Sequence, residues 1–406
     1  MWRRYGERLY TVVMLGLVAL QTIALGVLAV AFLLRLTGVI RVGRFGTLAL
    51  AALITTAVAL AILTVLVLGY HALTSDEEGR AARDRGAWTT RWSAILIRGT
   101  APPAVLVRTE AIEALLDMRD SLRGREGERA AALIRSYGVV PRLIERARRV
   151  HFPKQIRVLD MLSRARAPEA LSYLLEASRD PDERVRIVAV RAAARTLAVL
   201  PAGADRGAAE HELATIIADG MVSTGVIEQA LLLADDAASG IIGDLLEMPL
   251  VPPDALRAAI DVAGTLRLER FSASLGVAMR HGREEVRAAA IRAAASIGRL
   301  PAGGRASLQA AASSEVEFLR TQGTRALWLL GPFDAEPMLW ERLGDPSWWV
   351  RRAAGQALLA LGEEGRSMLE RAGMEHPDRY GRQMAQQVAR HAALFEPAAT
   401  ITVGGS

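Results

Sequence analysis

The chain has 406 residues and no cysteine, and 51% of it is hydrophobic although only 5% is aromatic. Alanine and leucine therefore supply most of the apolar character, which favours close-packed helices over sheets; disulfide frameworks, thiolate metal sites and cysteine nucleophiles are excluded. The net charge of +6 is uneven: residues 1–74 hold six arginines against Glu7 alone, a net +5, and the remainder holds 44 basic and 43 acidic groups. A near-neutral remainder lacks the broad basic footprint of a phosphate-backbone binder, so no nucleic-acid partner is expected.

In chain order, the first predicted elements are two apolar helices. Leu9 to Leu34 and Phe45 to Tyr70 each run 26 residues without a charge, about 39 Å as helix at ~1.5 Å per residue, enough to span a bilayer with some tilt. Residues 1–74 are thus read as a membrane anchor with spans over about 9–34 and 45–72. A signal peptide has a shorter apolar region and a small-residue cleavage site. Arg3, Arg4, Arg8, Arg80, Arg83 and Arg85 flank the pair, against Arg35, Arg41 and Arg44 in its loop. That bias places both termini, and everything after the anchor, on the cytoplasmic side of the cell's inner membrane.

Thr47, Ala51, Thr55 and Ala59 repeat every four residues and share one face of the second helix. Small residues there let another backbone approach, either the first span or another membrane protein. Gln21 in the first span suits an interhelical hydrogen bond.

Residues 75–103 read as a juxtamembrane linker. Trp88 and Trp92 stand one helical turn apart beside Arg85, Arg91 and Arg98. Two readings are open: both indoles lie at the lipid headgroup level, or both bury against the first helix of the next domain. Pro102 and Pro103 mark the start of that domain.

Residues 104–396 carry a repeat. The segments from Glu183, Glu284, Glu317 and Trp348 align, each with an apolar residue followed at once by Arg. From Val286, residues Ala289, Ala290, Ala293, Ala294 and Ile297 form one wide apolar helix face, as do Ala353, Ala354, Ala357, Leu358 and Leu361 from Val350. The arginines recur at Arg157, Arg186, Arg257, Arg287, Arg320, Arg351 and Arg382, spaced 29, 71, 30, 33, 31 and 31 residues apart. The long gap implies one degenerate unit near Val226 and Ile227. Arg108 is read as the start of the array, followed by an insertion from about Arg125 to Tyr137. Fixed-period helical hairpins of this length stack into solenoids.

This pattern resembles the HEAT-repeat family in its short bacterial form, over roughly residues 100–396. The resemblance implies an all-α chain: a transmembrane hairpin followed by an α-solenoid of about eight or nine helical hairpins, with 397–406 as a flexible tail. It further implies a structural ladder: the family often places an Asp in the turn six residues before the Arg, and its carboxylate and the guanidinium bridge the turn and neighbouring repeats. Asp180 precedes Arg186 and Asp345 precedes Arg351 by that interval; His281, Ser314 and His376 stand in its place before Arg287, Arg320 and Arg382. Arg257 is counted in the same ladder.

Two surfaces are candidates for partners. The position just before the apolar residue is polar in early units, Arg184 and Glu285, but holds Phe318, Trp349 and a slightly shifted Tyr380 in the last three. With Trp348 beside Trp349, and Trp328 and Trp340 near, these rings form a partner site or else fill inter-repeat gaps or cap the open end of the array. A second row, Arg191, Arg292, Arg325, Gln356 and Gln387, five residues past the ladder, lines the concave groove or is simply a solvated face.

Catalytic signals are thin. There is no nucleophile elbow, Walker loop or His-Glu-x-x-His pair, and the six histidines are scattered. No catalytic, cofactor or metal residue is assigned. HEAT-like arrays chiefly present surfaces to proteins, so the expectation is a non-catalytic scaffold or adaptor on the lipid bilayer. One alternative is an accessory subunit of an integral membrane enzyme, such as a polysaccharide-synthesising glycosyltransferase; another is a relative of the pigment lyases or base-modifying enzymes.

Overall fold

The computed structural model describes Gly26, Val30, 44–106 and 108–395. The first predicted span, those two residues apart, and the tail 397–406 lie outside the described residues. No described residue is in a strand. The chain divides into two units, Met1–Leu115 and Leu116–Ser406.

The first unit is built on α1, Arg44–Arg98, a helix of 55 residues, roughly 80 Å long at ~1.5 Å per residue. It runs without a break through Ser75, where the anchor was expected to give way to a linker. Among the described residues no helix is long and apolar enough to cross a membrane. Within the second predicted span, side-chain exposure is described only at positions from Ile54 to Val67. There Ile54, Val58, Ile62, Leu63 and Val65 are exposed. At the other end of α1, Trp92, Ile95 and Leu96 bury with Leu106, Ala111, Ala114 and Leu115.

The second unit begins within α2, Thr109–Ser121, and continues with α3, Gly124–Ser136. The expected insertion is therefore itself a helix. Eight helical hairpins follow among the described residues. Their first helices are α4 Val139–Arg149, α6 Leu171–Ala177, α8 Ala204–Ala218, α10 Ala238–Glu247, α12 Ser272–Ala278, α14 Gly304–Ala312, α16 Pro332–Leu343 and α18 Glu363–Glu375. Their second helices are α5 Lys154–Ala165, α7 Glu183–Leu197, α9 Thr224–Leu233, α11 Pro253–Thr265, α13 Glu284–Ile297, α15 Glu317–Ala326, α17 Trp348–Ala360 and α19 Arg379–Phe395.

Each second helix packs on the next, from α5 through to α19, forming one continuous layer. Most first helices pack on the second helix of their own hairpin, and α8 packs chiefly on α10. The unit centred on Val226 and Ile227 is α9, whose buried residues include both of them.

Alanine explains how closely the layer stacks. Ala289, Ala290, Ala293 and Ala294 of α13 and Ala258, Ala259 and Ala263 of α11 are all buried, as the periodicity predicts for α13. A Cβ on Gly264 of α11 would lie 2.6 Å from Ala293 Cα, so the two backbones meet with almost nothing between them. Larger side chains, including Leu308, Leu319, Leu339, Leu343, Leu358 and Leu369, fill the core between first and second helices.

Candidate protein-binding edge and the arginine ladder

The ladder arginines sit in the first turn of their helices, where the chain has just left a tight turn. Five of them point back into that turn and bind backbone. Arg186 Nη1–H donates to Asp180 O at 2.7 Å, Arg287 Nη1–H to His281 O at 3.2 Å, Arg320 Nη1–H to Ser314 O at 2.7 Å and Arg351 Nη1–H to Asp345 O at 2.7 Å. Arg382 donates in the same way to His376 O. The resemblance implies carboxylates and guanidiniums that bridge the turn and neighbouring repeats; within the turn the arginine's partner is the carbonyl of that residue, and a carboxylate pairs between hairpins at Asp345, which takes Arg320.

The side chain six residues before the arginine does something else. It accepts the backbone N–H two residues further on: Asp180 Oδ1 from Asp182 at 2.8 Å, His281 Nδ1 from Arg283 at 3.0 Å, Ser314 Oγ from Val316 at 3.2 Å, Asp345 Oδ1 from Ser347 at 2.9 Å and His376 Nδ1 from Asp378 at 3.1 Å. The position needs one acceptor close to Cβ, and Asp, Ser and His all provide it. That removes the discrepancy seen in the sequence.

Two ladder arginines also link neighbouring hairpins. Arg186 Nε–H reaches Met221 O, in the turn before α9, at 2.9 Å. Arg320 Nε–H donates to Asp345 Oδ2 at 2.8 Å; the Asp345 side chain is 2% exposed and that of Arg320 14%. Arg257 departs from the ladder, facing Asp254 at 4.0 Å and Asp261 at 3.7 Å on its own helix.

At the same level, the second residue of each helix forms the candidate edge. Phe318, Trp349 and Tyr380 are the second residues of α15, α17 and α19. Tyr380 is therefore in register, without the shift expected. The three rings are 44%, 59% and 58% exposed, and Trp348 is 38% exposed. They do not fill gaps between hairpins. Trp348 and Trp349 meet edge to face at 4.8 Å, Arg352 lies over Trp348 at 5.2 Å and Arg351 over Tyr380 at 5.3 Å, so cations brace the rings. Trp328 and Trp340 instead pack on the core. His376, buried at 3%, lies against Trp340 and within 2.9 Å of Trp340 O. Because its Nδ1 accepts from Asp378, Nε2 carries the proton and donates there. Phe333, 91% exposed on α16, was missed by sequence reasoning because it falls outside the repeat pattern.

In the early units the equivalent position is polar. Arg184 holds Asp182, which caps α7 by accepting its backbone N–H at 2.9 Å. The Arg184 side chain, and then its backbone N–H, lower the Asp182 carboxyl from 3.8 to about 2. A depressed carboxylate contributes its cap fully above its unfolded value and loses it as pH falls through the folded one. A carbon-detected NMR titration should find the Asp182 midpoint near 2, and Arg184→Gln should return it toward the ordinary value.

The second polar row does not form one free surface. Arg292 is bound by Asp261 of the preceding second helix, at 2.7 and 2.9 Å, and Arg191 is half-buried, whereas Arg325, Gln356 and Gln387 are exposed. Of the residues assigned to membrane docking, Thr55 and Ala59 are exposed, and the side chains of Thr47 and Ala51 lie outside those described. Trp92 is fully buried and its Nε1–H donates to Ala111 O at 2.9 Å. Trp88 is half-buried, 5.8 Å from Trp92 and under Arg91 at 4.9 Å. The headgroup reading fails for Trp92 because its ring is buried and its N–H is taken by a carbonyl of α2.

No group of His, Asp and Glu able to hold a metal ion occurs among the described residues. In comparisons with known proteins, residues 337–364 match the HEAT repeat family. No curated protein matches the chain. Among solved structures, an engineered protein is similar at 19% identity over 73% of this chain and 76% of its own, with a TM-score of 0.25. Computationally designed armadillo repeat proteins for modular peptide recognition are similar at 20% identity over 69% and 99%, with a TM-score of 0.19. The stacked hairpins and the family match together make the second unit an all-helical, HEAT-like repeat solenoid.

Proposed function

We propose that the chain is a non-catalytic scaffold, tied to the cytoplasmic membrane by its N-terminal hairpin, that holds a protein partner on the edge formed by Phe318, Trp349 and Tyr380. The observation that carries this reading is the exposure of three aromatic rings at one register position of successive hairpins. Large rings left in water at regular intervals suit a partner that covers them, and such anchors dominate binding energy. HEAT-like solenoids commonly serve as interaction scaffolds, which agrees with it. Support for the anchor comes from the two uncharged 26-residue runs and from the aliphatic side chains exposed on α1 between Ile54 and Val65. Confinement to a surface raises the effective concentration of a membrane-bound partner, so that modest contacts suffice for assembly.

A photo-crosslinker at position 349 of the full chain should capture one dominant protein. Phe318→Ser with Trp349→Ser should weaken that complex by about 2 kcal/mol per anchor, roughly thirtyfold each in Kd, with unchanged thermal unfolding. An unaltered affinity in a folded double variant sinks the edge. Membranes washed in alkaline carbonate should retain the chain and detergent should release it; release by carbonate sinks the anchor.

A further inference from the structure

Along α3, between the last turns of α2 and the turn leaving α5, lies a cavity of about 370 Å³ whose lining includes Arg119, Arg123, Arg135 and Arg166, with Glu128. Only Arg166 of these four has an ion-pair partner among the described residues, Asp120 at 2.8 Å. Asp120 is itself shared with Arg195 at 3.2 Å, so that carboxylate neutralises a neighbour as much as the cavity. The four lining guanidiniums less Glu128 leave three positive charges. The Nε atoms of Arg119, Arg166 and Arg195 are buried without a hydrogen-bond partner. Arg166 ends α5 with φ of +46°, a left-handed conformation that glycine occupies far more readily. Burial first, and then Arg166 and Arg123, pull Arg119 below the ordinary guanidinium value.

We propose that this cavity binds a phosphate-bearing anion of at least two negative charges. Unpaired guanidiniums offer forked donors that match phosphate oxygens two at a time. A multiply charged group balances three cations, which one carboxylate does not. The volume is at the small end of ligand sites, which run from about 300 to 1,000 Å³, and suits a pyrophosphate or phosphomonoester head. A free phosphate compound and a lipid headgroup share this chemistry.

Isothermal titration of inorganic pyrophosphate into the full chain in nonionic detergent should give one-site binding that weakens with added salt. Arg119→Gln with Arg135→Gln should reduce affinity by roughly tenfold or more. Ala131→Glu, which keeps every arginine but adds a carboxylate to the lining, should do the same, and circular dichroism melts report whether each variant is folded. Arg325→Gln, outside the cavity, should stay within about twofold. Phosphatidate added to the micelles that suppresses the pyrophosphate signal marks a lipid headgroup as the source; an unchanged signal marks a soluble phosphate compound. Absent binding in the folded parent chain, or equal affinity in the parent and both cavity variants, overturns the site, as does an equal loss in Arg325→Gln.

Discussion

Asp345→Ala should destabilise the C-terminal hairpins by about 3 to 5 kcal/mol, the range for breaking a buried ion pair from one side. The carboxylate takes Arg320 Nε–H at 2.8 Å and Ser347 N–H at 2.9 Å, with Arg342 at 3.5 Å. Its loss leaves a half-buried guanidinium without its charge partner and uncaps the turn before α17. Arg320 keeps only its carbonyl bonds to Ser314 and Glu315, which hold it in place without neutralising it. Hydrogen exchange should show α15 to α17 opening first, and the urea midpoint should fall. Asp180→Ala is the comparison: Asp180 caps its own turn, but the forward link of Arg186 runs to a carbonyl, Met221 O. Its cost should be nearer the ~1 kcal/mol of a lost cap. Equal costs would mean that the charge between hairpins adds nothing.

The second large effect is steric. Gly323→Ala should cost about 2 kcal/mol, because overpacking of typically 1–3 kcal/mol outweighs a smaller gain in helix propensity. A Cβ at this position of α15 would lie 2.4 Å from Ala312 N and 2.6 Å from Ala311 C, backbone atoms of α14 that cannot rotate away. The same substitution at Gly207 of α8, where nothing lies within 4 Å, should stabilise by about 0.5 to 1 kcal/mol. Opposite signs in urea denaturation check the argument; a neutral Gly323→Ala would mean that α14 and α15 separate easily.

The repeat itself was legible because two constraints recur together: a helix face wide enough to need a neighbour, and an arginine two residues beyond the helix's second position. Spacing alone placed α13, α15, α17 and α19, and the gap near Val226 pointed to α9. The chemistry of the turn was legible in part. Sequence displays side chains, so Asp345 was rightly marked for its carboxylate, which takes Arg320 of the preceding hairpin, whereas the carbonyls that the arginines also seek are carried by every residue and leave no mark. Arg257 was misplaced for a related reason: Asp254 and Asp261 on its own helix hold it, and its turn takes no part. The fate of Trp92 depended on what faces α1, a tertiary fact that the four-residue spacing from Trp88 does not encode. The arginine cavity was invisible because its four members come from separate elements with no common period.

The links between hairpins have one further consequence. Arg186 ties α7 to the turn before α9, and Arg320 ties α15 to the turn before α17; each fastening joins a unit only to its immediate successor. Tension applied to a stack fastened in this way concentrates at the outermost joint and then at the next. Stretched between its ends, the second unit should lengthen stepwise, one pair of helices per force peak, and wind up again in the reverse order when slackened.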